Sequence, residues 1–192
     1  MNGSIDSIFT GNKSSMHQEI EKRWNALVEA KEAFISKLSE LPADKLYVRP
    51  GEGWSAIQVM EHILFSETGT LGYMRKKSSG GWDRLEVTGQ EQKSNSDALN
   101  ARLISPAPYK APSILPEPQN VATLDDLMKN WENTRKEMLE FVDAVDPIHY
   151  DKLVFRQPIA GMLNVLQTLE FLGHHIHHHI PQLERISSAI TN

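Results

Sequence analysis

Cysteine is absent from this chain of 192 residues. Its absence excludes disulfide bonds, a thiolate nucleophile and any metal site built on thiolate ligands. A bound metal would have to be held by histidine, aspartate or glutamate. Because a chain of this length can bury a sufficient apolar core without a structural metal, such a metal would serve function rather than folding.

Long apolar runs and basic clusters are also absent. The first residues, MNGSIDSIFTGNKSSMHQ, lack the basic and then apolar order of a secretory signal, and no run approaches the length of a membrane span. We therefore expect a cytoplasmic protein that does not bind membranes. There are 20 basic and 25 acidic residues, for a formal net charge of -5. The basic residues do not cluster with aromatic ones, so nucleic acid is not an expected partner.

Apolar residues recur at helical spacing in four segments, which predicts four amphipathic helices. These helices are expected over residues 15–41, 55–77, 123–145 and 161–189. Pro42 ends the first, and Ser55 and Gln58 open the second at the spacing of a capping box. Thr123 is the expected N-cap of the third.

The segment between the second and third predicted helices, residues 78–122, is unusually long. Five of the ten prolines lie in it: Pro106, Pro108, Pro112, Pro116 and Pro118. Since proline interrupts helical hydrogen bonding, we expect an irregular crossover loop without a long helix. We predict that this crossover controls access to a bound metal through Trp82, Tyr109 and Ile114. The alternative is that these side chains pack on the bundle exterior or on a second subunit.

Four helices with one long connection predict an all-α four-helix bundle, because a long link allows the second and third helices to run parallel. Residues 1–14 are expected to form a flexible N-terminus and residues 15–190 a single domain. Bundles of this kind build metal sites from side chains that project inward from facing helices.

Histidine is concentrated in the last predicted helix. The stretch GHHIHHHIPQ, residues 173–182, holds five of the eight histidines, and Ile176 interrupts it, unlike a purification tag. Chelation by one helix requires ligands three or four residues apart. On a helical wheel of about 100° per residue, His175 and His179 border the apolar stripe. His174 and His178 lie roughly opposite it and are expected to be solvated, and His177 is expected to be peripheral.

The third metal ligand is expected to be His62 on the second helix. Antiparallel packing of the second and fourth helices would bring it level with His175 and His179. Three neutral imidazoles suit zinc, nickel, iron or copper, with zinc and nickel preferred, and leave one coordination position open. The alternative is that His62 is an ordinary hydrogen-bonded histidine of the core and binds no metal. Ser66 and Tyr73 share the helix face of His62, but the sequence assigns no general acid or base.

Three stretches carry a resemblance to a known family: LSELPADKL, GEGWSAIQVMEHIL and GMLNVLQTLEFLGHHIHHHIPQLERI. In this order they resemble the DinB-like superfamily, including its YfiT type of metal-dependent hydrolases, over residues 15–186. The most specific parts combine Trp54, Ser55 and His62 with the H-x3-H-x2-Q arrangement that ends at Gln182. The resemblance implies an up-down-down-up bundle, a metal triad of His62, His175 and His179, and homodimers.

The resemblance also implies a range of activities. The first expectation is a metal-dependent hydrolase that uses a divalent metal with an open position for water or substrate, and a small-molecule substrate. A metal-dependent thiol S-transferase, acting with a low-molecular-weight thiol, is the alternative within the family. A non-catalytic metal-binding stress-response protein is a third possibility, which the additional His174, His177 and His178 favour.

Overall fold

A computed structural model describes residues 16–105 and 115–191. The expected flexible N-terminus and the crossover side chains Tyr109 and Ile114 lie outside these described residues. The helices are α1 (Gln18–Leu38), α2 (Ala56–Ser78), α3 (Gln90–Leu103), α4 (Leu124–Asp143) and α5 (Val165–Thr191), and the strands are β1 (Leu153–Gln157) and β2 (Gly161–Asn164). Within the described part of the chain, no helix combines the length and apolar character needed to cross a lipid bilayer.

The start of α2 confirms the predicted capping box. The hydroxyl of Ser55 accepts a hydrogen bond from the backbone N–H of Gln58 at 3.1 Å, and the Gln58 side chain accepts one from Ser55 at 3.0 Å. Thr123 caps α4 in the predicted way, by accepting from Asp126 at 3.1 Å. These caps satisfy N–H groups that have no partner within the helix, and they fix where α2 and α4 begin.

Helices α1, α2, α4 and α5 form the bundle. Ion pairs Arg23 to Glu170 and Lys37 to Glu184 advance together along α1 and α5, so these two helices run parallel. Pairs Glu67 to Arg135 and Arg75 to Glu137 do the same along α2 and α4.

The other two helix directions follow from α1 and α4. Arg135 of α4 donates to the backbone carbonyl of Leu27, and Lys31 of α1 pairs with Glu132. Towards the C-terminus of α1, the contacts move towards the N-terminus of α4. Helices α1 and α4 are therefore antiparallel. Because α5 runs parallel to α1 and α2 runs parallel to α4, helices α2 and α5 are antiparallel as well.

A buried ion pair lies in the core between α2 and α4. Arg135 donates two hydrogen bonds to the Glu67 carboxylate, at 2.6 and 2.7 Å. Trp131 adds a third from its indole N–H at 3.0 Å. The two charged side chains are only 6% and 1% exposed. Such a pair is tolerated inside a protein because the hydrogen bonds replace the lost hydration.

The expectation of a crossover without a long helix was wrong, because α3 occupies Gln90–Leu103. The physical reason is the placement of the prolines, all five of which lie after residue 105. The Gln92 side chain accepts from the backbone N–H of Gly89 at 3.0 Å and closes the start of α3. Weak apolar periodicity hid the helix, which buries only Ser96, Leu99 and Leu103.

The predicted start of the last helix was also wrong. Residues 161–164 form β2, which pairs antiparallel with β1, and α5 begins at Val165. Gly161 has a φ of 78°, a backbone conformation that suits glycine at the start of the returning strand. Asn164 and Gln167 exchange backbone-to-side-chain hydrogen bonds at 2.9 and 3.1 Å. This capping arrangement sets the true start of α5.

Candidate metal centre

Three histidine side chains from two antiparallel helices meet at one point. His62 lies in the second turn of α2, and His175 and His179 lie one turn apart on α5. The Nε2 atom of His175 is 3.2 Å from Nε2 of His62 and 3.1 Å from Nε2 of His179. In the described part of the chain, these three residues form a group whose ligand atoms lie within 4.8 Å of one another.

The distances and the donor chemistry fit a transition metal. Tetrahedral zinc binds imidazole nitrogen at about 2.0–2.1 Å, which places neighbouring ligand nitrogens about 3.3 Å apart. The observed separations of 3.1 and 3.2 Å are close to this value. One shared proton can satisfy only one pair of nitrogens, whereas a cation between the rings interacts with all three lone pairs. Neutral imidazoles are good ligands for divalent transition metals.

Gln182 orients the ring of His179. Its side-chain oxygen lies 2.8 Å from Nδ1 of His179. Because that oxygen is an acceptor, it keeps the ring proton on Nδ1 and leaves Nε2 as the nitrogen with a lone pair. Outer partners of this kind tune metal-binding histidines.

We expect replacement of Gln182 by leucine to weaken metal binding about 10- to 100-fold, the usual cost of losing an outer partner of a ligand. Without the acceptor, the proton can move to Nε2 and block the lone pair. Competition with a chelating dye measures the dissociation constant. Gln182→Glu retains an acceptor at the same place and should bind close to the wild type. Equal affinities for the leucine and glutamate variants would show that Gln182 does not orient the ring.

Aromatic rings hold the other two histidines in place. Trp54 packs on His62 with ring centroids 5.0 Å apart, and the Trp54 indole N–H donates to Glu117 at 3.1 Å. Phe171 stacks on His175 at 5.6 Å. Phe171 lies four residues before His175, so helical spacing could have identified it. No sequence signal identifies Glu117, because its position depends on the path of the crossover.

The remaining histidines of α5 do not join the group. His177 is exposed, as expected, whereas His174 is half-buried instead of solvated, contrary to the expectation. His178 differs from the expectation of a solvated side chain, because it is half-buried and its Nδ1 lies 3.0 Å from the carbonyl oxygen of Leu103. The unpredicted helix α3 ends at Leu103 and covers the part of α5 that contains His178.

The histidine group opens into a cavity of about 790 Å³. Ser66, Gly69 and Tyr73 line it together with His62, in agreement with their shared helix face. Its apolar wall is formed by Phe65, Leu99, Leu103, Leu115, Phe155 and Phe171. The volume and the mostly apolar lining are typical of sites for small organic molecules.

Among its described residues, the crossover contributes four side chains to the cavity wall. Leu99, Leu103, Leu115 and Pro116 line the cavity. Trp82, which was predicted to face it, instead stacks on His149 with ring centroids 5.8 Å apart. The crossover therefore borders the cavity, and its control of access stays a prediction. Trp82 follows the alternative expectation, since it packs on other parts of the bundle.

Burial keeps the three converging histidines neutral. It lowers the pKa of His62 to about 4 and that of His179 to about 3. Burial is also the main reason why the pKa of His175 lies well below 6.5, and the charges of His179, His62 and His178 lower it further. At neutral pH all three rings therefore present lone pairs, as metal ligands must.

We expect the metal-free protein to lose stability as the pH falls from about 7 to 5. The unfolded chain binds protons at these histidines below about pH 6.5, whereas the folded chain resists protonation until the pH approaches 4 or 3. Protons thus favour the unfolded state, by at most about 1.4 kcal/mol per pH unit for each histidine. Thermal unfolding at several pH values measures the loss. A variant with glutamine at all three positions should show a flatter profile, and an unchanged slope would contradict the expectation.

The comparisons with known proteins concern both the family and the fold. The sequence model of a family described as the DinB superfamily matches residues 26–183, most of the chain. A crystal structure of TT2238, described as a four-helix bundle protein, superimposes with a TM-score of 0.54 at 19% identity. The match covers 86% of this chain and 98% of that one, and at this identity it supports the fold alone. No curated protein matches the chain.

Proposed function

The chain belongs to the DinB superfamily, and from this premise we propose that His62, His175 and His179 bind one divalent transition metal, zinc or nickel, in a metal-dependent hydrolase. The observation that supports the proposal is the convergence of three neutral imidazoles at the wall of an apolar cavity. A metal held there would supply Lewis acidity, polarising a substrate oxygen and making a water molecule easier to deprotonate.

The protein residues around the triad have separate tasks in this proposal. The apolar wall holds the organic part of a substrate and excludes bulk water, which strengthens electrostatic interactions inside the cavity. Gln182 keeps the His179 lone pair on Nε2, while Trp54 and Phe171 restrict the rings of His62 and His175. A site held in this way loses little energy to reorganisation during the reaction.

The geometry favours an enzyme over a metal-storage protein. Storage by a histidine-rich helix would use several ions, yet His174, His177 and His178 lie outside the converging group. The three converging histidines instead border a space large enough for an organic molecule. One metal for each chain, accessible from the cavity, is therefore the expected stoichiometry.

Elemental analysis of untagged protein followed by an activity panel tests the proposal. The panel contains carboxylic ester and amide substrates for hydrolysis, and electrophiles with a low-molecular-weight thiol for the family's transferase reaction. We expect ester or amide hydrolysis that disappears with a chelator and returns with metal. His179→Ala should be inactive and His177→Ala active. Thiol transfer without hydrolysis would support the transferase alternative, and several bound ions without turnover would support storage.

The family resemblance also implies a homodimer, and the sequence predicts a cytoplasmic location and a single domain over residues 15–190; these stay predictions. Sedimentation equilibrium of the metal-loaded protein would determine whether two chains associate. Limited proteolysis would map the boundaries of the stable domain.

A further inference from the structure

A glycine interrupts the side chains that α2 presents to the cavity. His62, Ser66, Gly69 and Tyr73 all line the cavity, and their spacing of three or four residues places them on one helix face. At Gly69 this face has no side chain, so bare backbone forms the wall. A Cβ atom added at Gly69 would meet no other atom of residues 16–105 and 115–191 within 4 Å. The space in front of Gly69 is therefore part of the cavity.

Packing within the protein does not require glycine at this position. Glycine is less favourable than alanine inside a helix, and the free space shows that alanine would fit without a clash. A Cβ atom added at Gly72 would also have open space around it, but Gly72 is not among the residues that line the cavity. Of these two α2 glycines, only Gly69 leaves room that a bound molecule could use.

Gly69 lies at a defined distance from the triad. With the usual helical rise, seven residues place it about 10 Å along α2 from His62. Tyr73 follows one turn later and meets the ring of Phe155 edge to face at 5.7 Å. Along α2, Gly69 therefore lies between the triad and these two rings, on the face that lines the cavity.

The wall of the cavity disfavours cationic chemistry. Its lining is mostly apolar, with Phe65, Leu99, Leu103 and Phe171 among it, it includes the cationic Arg156, and none of the described lining residues is acidic. An extended cationic group would lose its hydration there without gaining a counter-charge. An uncharged apolar chain would instead gain from the burial of its surface.

We propose that Gly69 determines specificity by making room for an elongated apolar tail, so that the substrate class is an organic molecule with a polar reactive head and a long apolar body. The head lies at the triad, and the tail crosses Gly69 towards Tyr73. The position of the head rests on the proposed metal function, whereas the course of the tail rests on the cavity alone. Replacement of Gly69 by leucine would place an apolar side chain in this space.

Binding of N-phenyl-1-naphthylamine, an uncharged apolar fluorophore, to the metal-free protein tests the tail path without a metal. We expect Gly69→Leu to weaken binding at least about tenfold, because the leucine takes the space in which the fluorophore would bury apolar surface. The matched Gly72→Leu should change binding less than about twofold. Circular dichroism checks that both variants fold. Equal binding by the wild type and Gly69→Leu, or no binding by the wild type, would overturn the proposal.

Two hydroxamates then test how the head and tail are arranged in the metal-loaded protein. Decanohydroxamate should bind more tightly than acetohydroxamate to the wild type and to Gly72→Leu, and this advantage should vanish in Gly69→Leu. Acetohydroxamate should bind all three proteins alike. An unchanged chain-length advantage in Gly69→Leu would overturn the proposal. Fluorophore binding that responds to Gly69 in a protein that binds neither hydroxamate would support the tail path and refute the metal function.

Discussion

Replacement of His175 by alanine should reduce bound metal from one ion per chain to background. His175 contributes the nitrogen that contacts both of the others, at 3.2 and 3.1 Å, so its loss leaves only two ligands. We expect affinity to fall by more than about 100-fold, since even an outer partner of a ligand is worth about 10- to 100-fold. Elemental analysis after exhaustive dialysis measures the occupancy.

The same helix offers the controls for this experiment. His177 is exposed and His174 is half-buried outside the converging group, so alanine at either position should leave one metal per chain. The helical circular dichroism of His175→Ala should resemble that of the wild type, because the apolar core does not depend on this ring. An empty site in His174→Ala or His177→Ala, with metal retained in His175→Ala, would refute the assignment.

Replacement of Arg135 by methionine should be among the most destabilising single changes in the bundle. Glu67 would remain buried with its charge, and the indole of Trp131 would be the remaining donor among the contacts described above. Loss of one partner from a buried pair costs about 3–5 kcal/mol. Chemical denaturation monitored by circular dichroism measures the change in the free energy of unfolding.

Two further variants separate the effect of burial from the loss of an ion pair as such. Arg75 and Glu137 also join α2 to α4, but both side chains are about half exposed, at 45% and 51%. Arg75→Met should therefore cost no more than about 1 kcal/mol. Glu67→Gln combined with Arg135→Met removes both charges and should recover much of the stability. A double variant as unstable as Arg135→Met alone would show that the buried charge is not the cause.

The sequence predicted the bundle helices and the grouping of histidines because both depend on local periodicity. Apolar spacing identified α1, α2 and α4, and the capping signal at Ser55 set the start of α2. The position of His175 and His179 beside the apolar stripe brought them towards His62. These inferences require only helical geometry and antiparallel packing.

Features that depend on tertiary contacts were not predicted. Helix α3 buries few apolar residues and is held by neighbouring elements, including the contact of Leu103 with His178. The β1–β2 hairpin replaces the expected first turn of the last helix, although the spacing of Asn164 and Gln167 contains a capping signal for its true start. The environment of His178 was misjudged because it depends on α3.

The histidine triad also joins two parts of the chain that are far apart in sequence, since His62 and His175 are separated by 113 positions. A metal bound by both helices would act as a reversible cross-link across more than half of the polypeptide. Binding to the folded state alone adds about 2.7 kcal/mol of stability when free metal is 100 times its dissociation constant. The melting temperature should then depend on the free metal concentration, and a cell that depletes this metal would shorten the lifetime of the protein as well as silence its site.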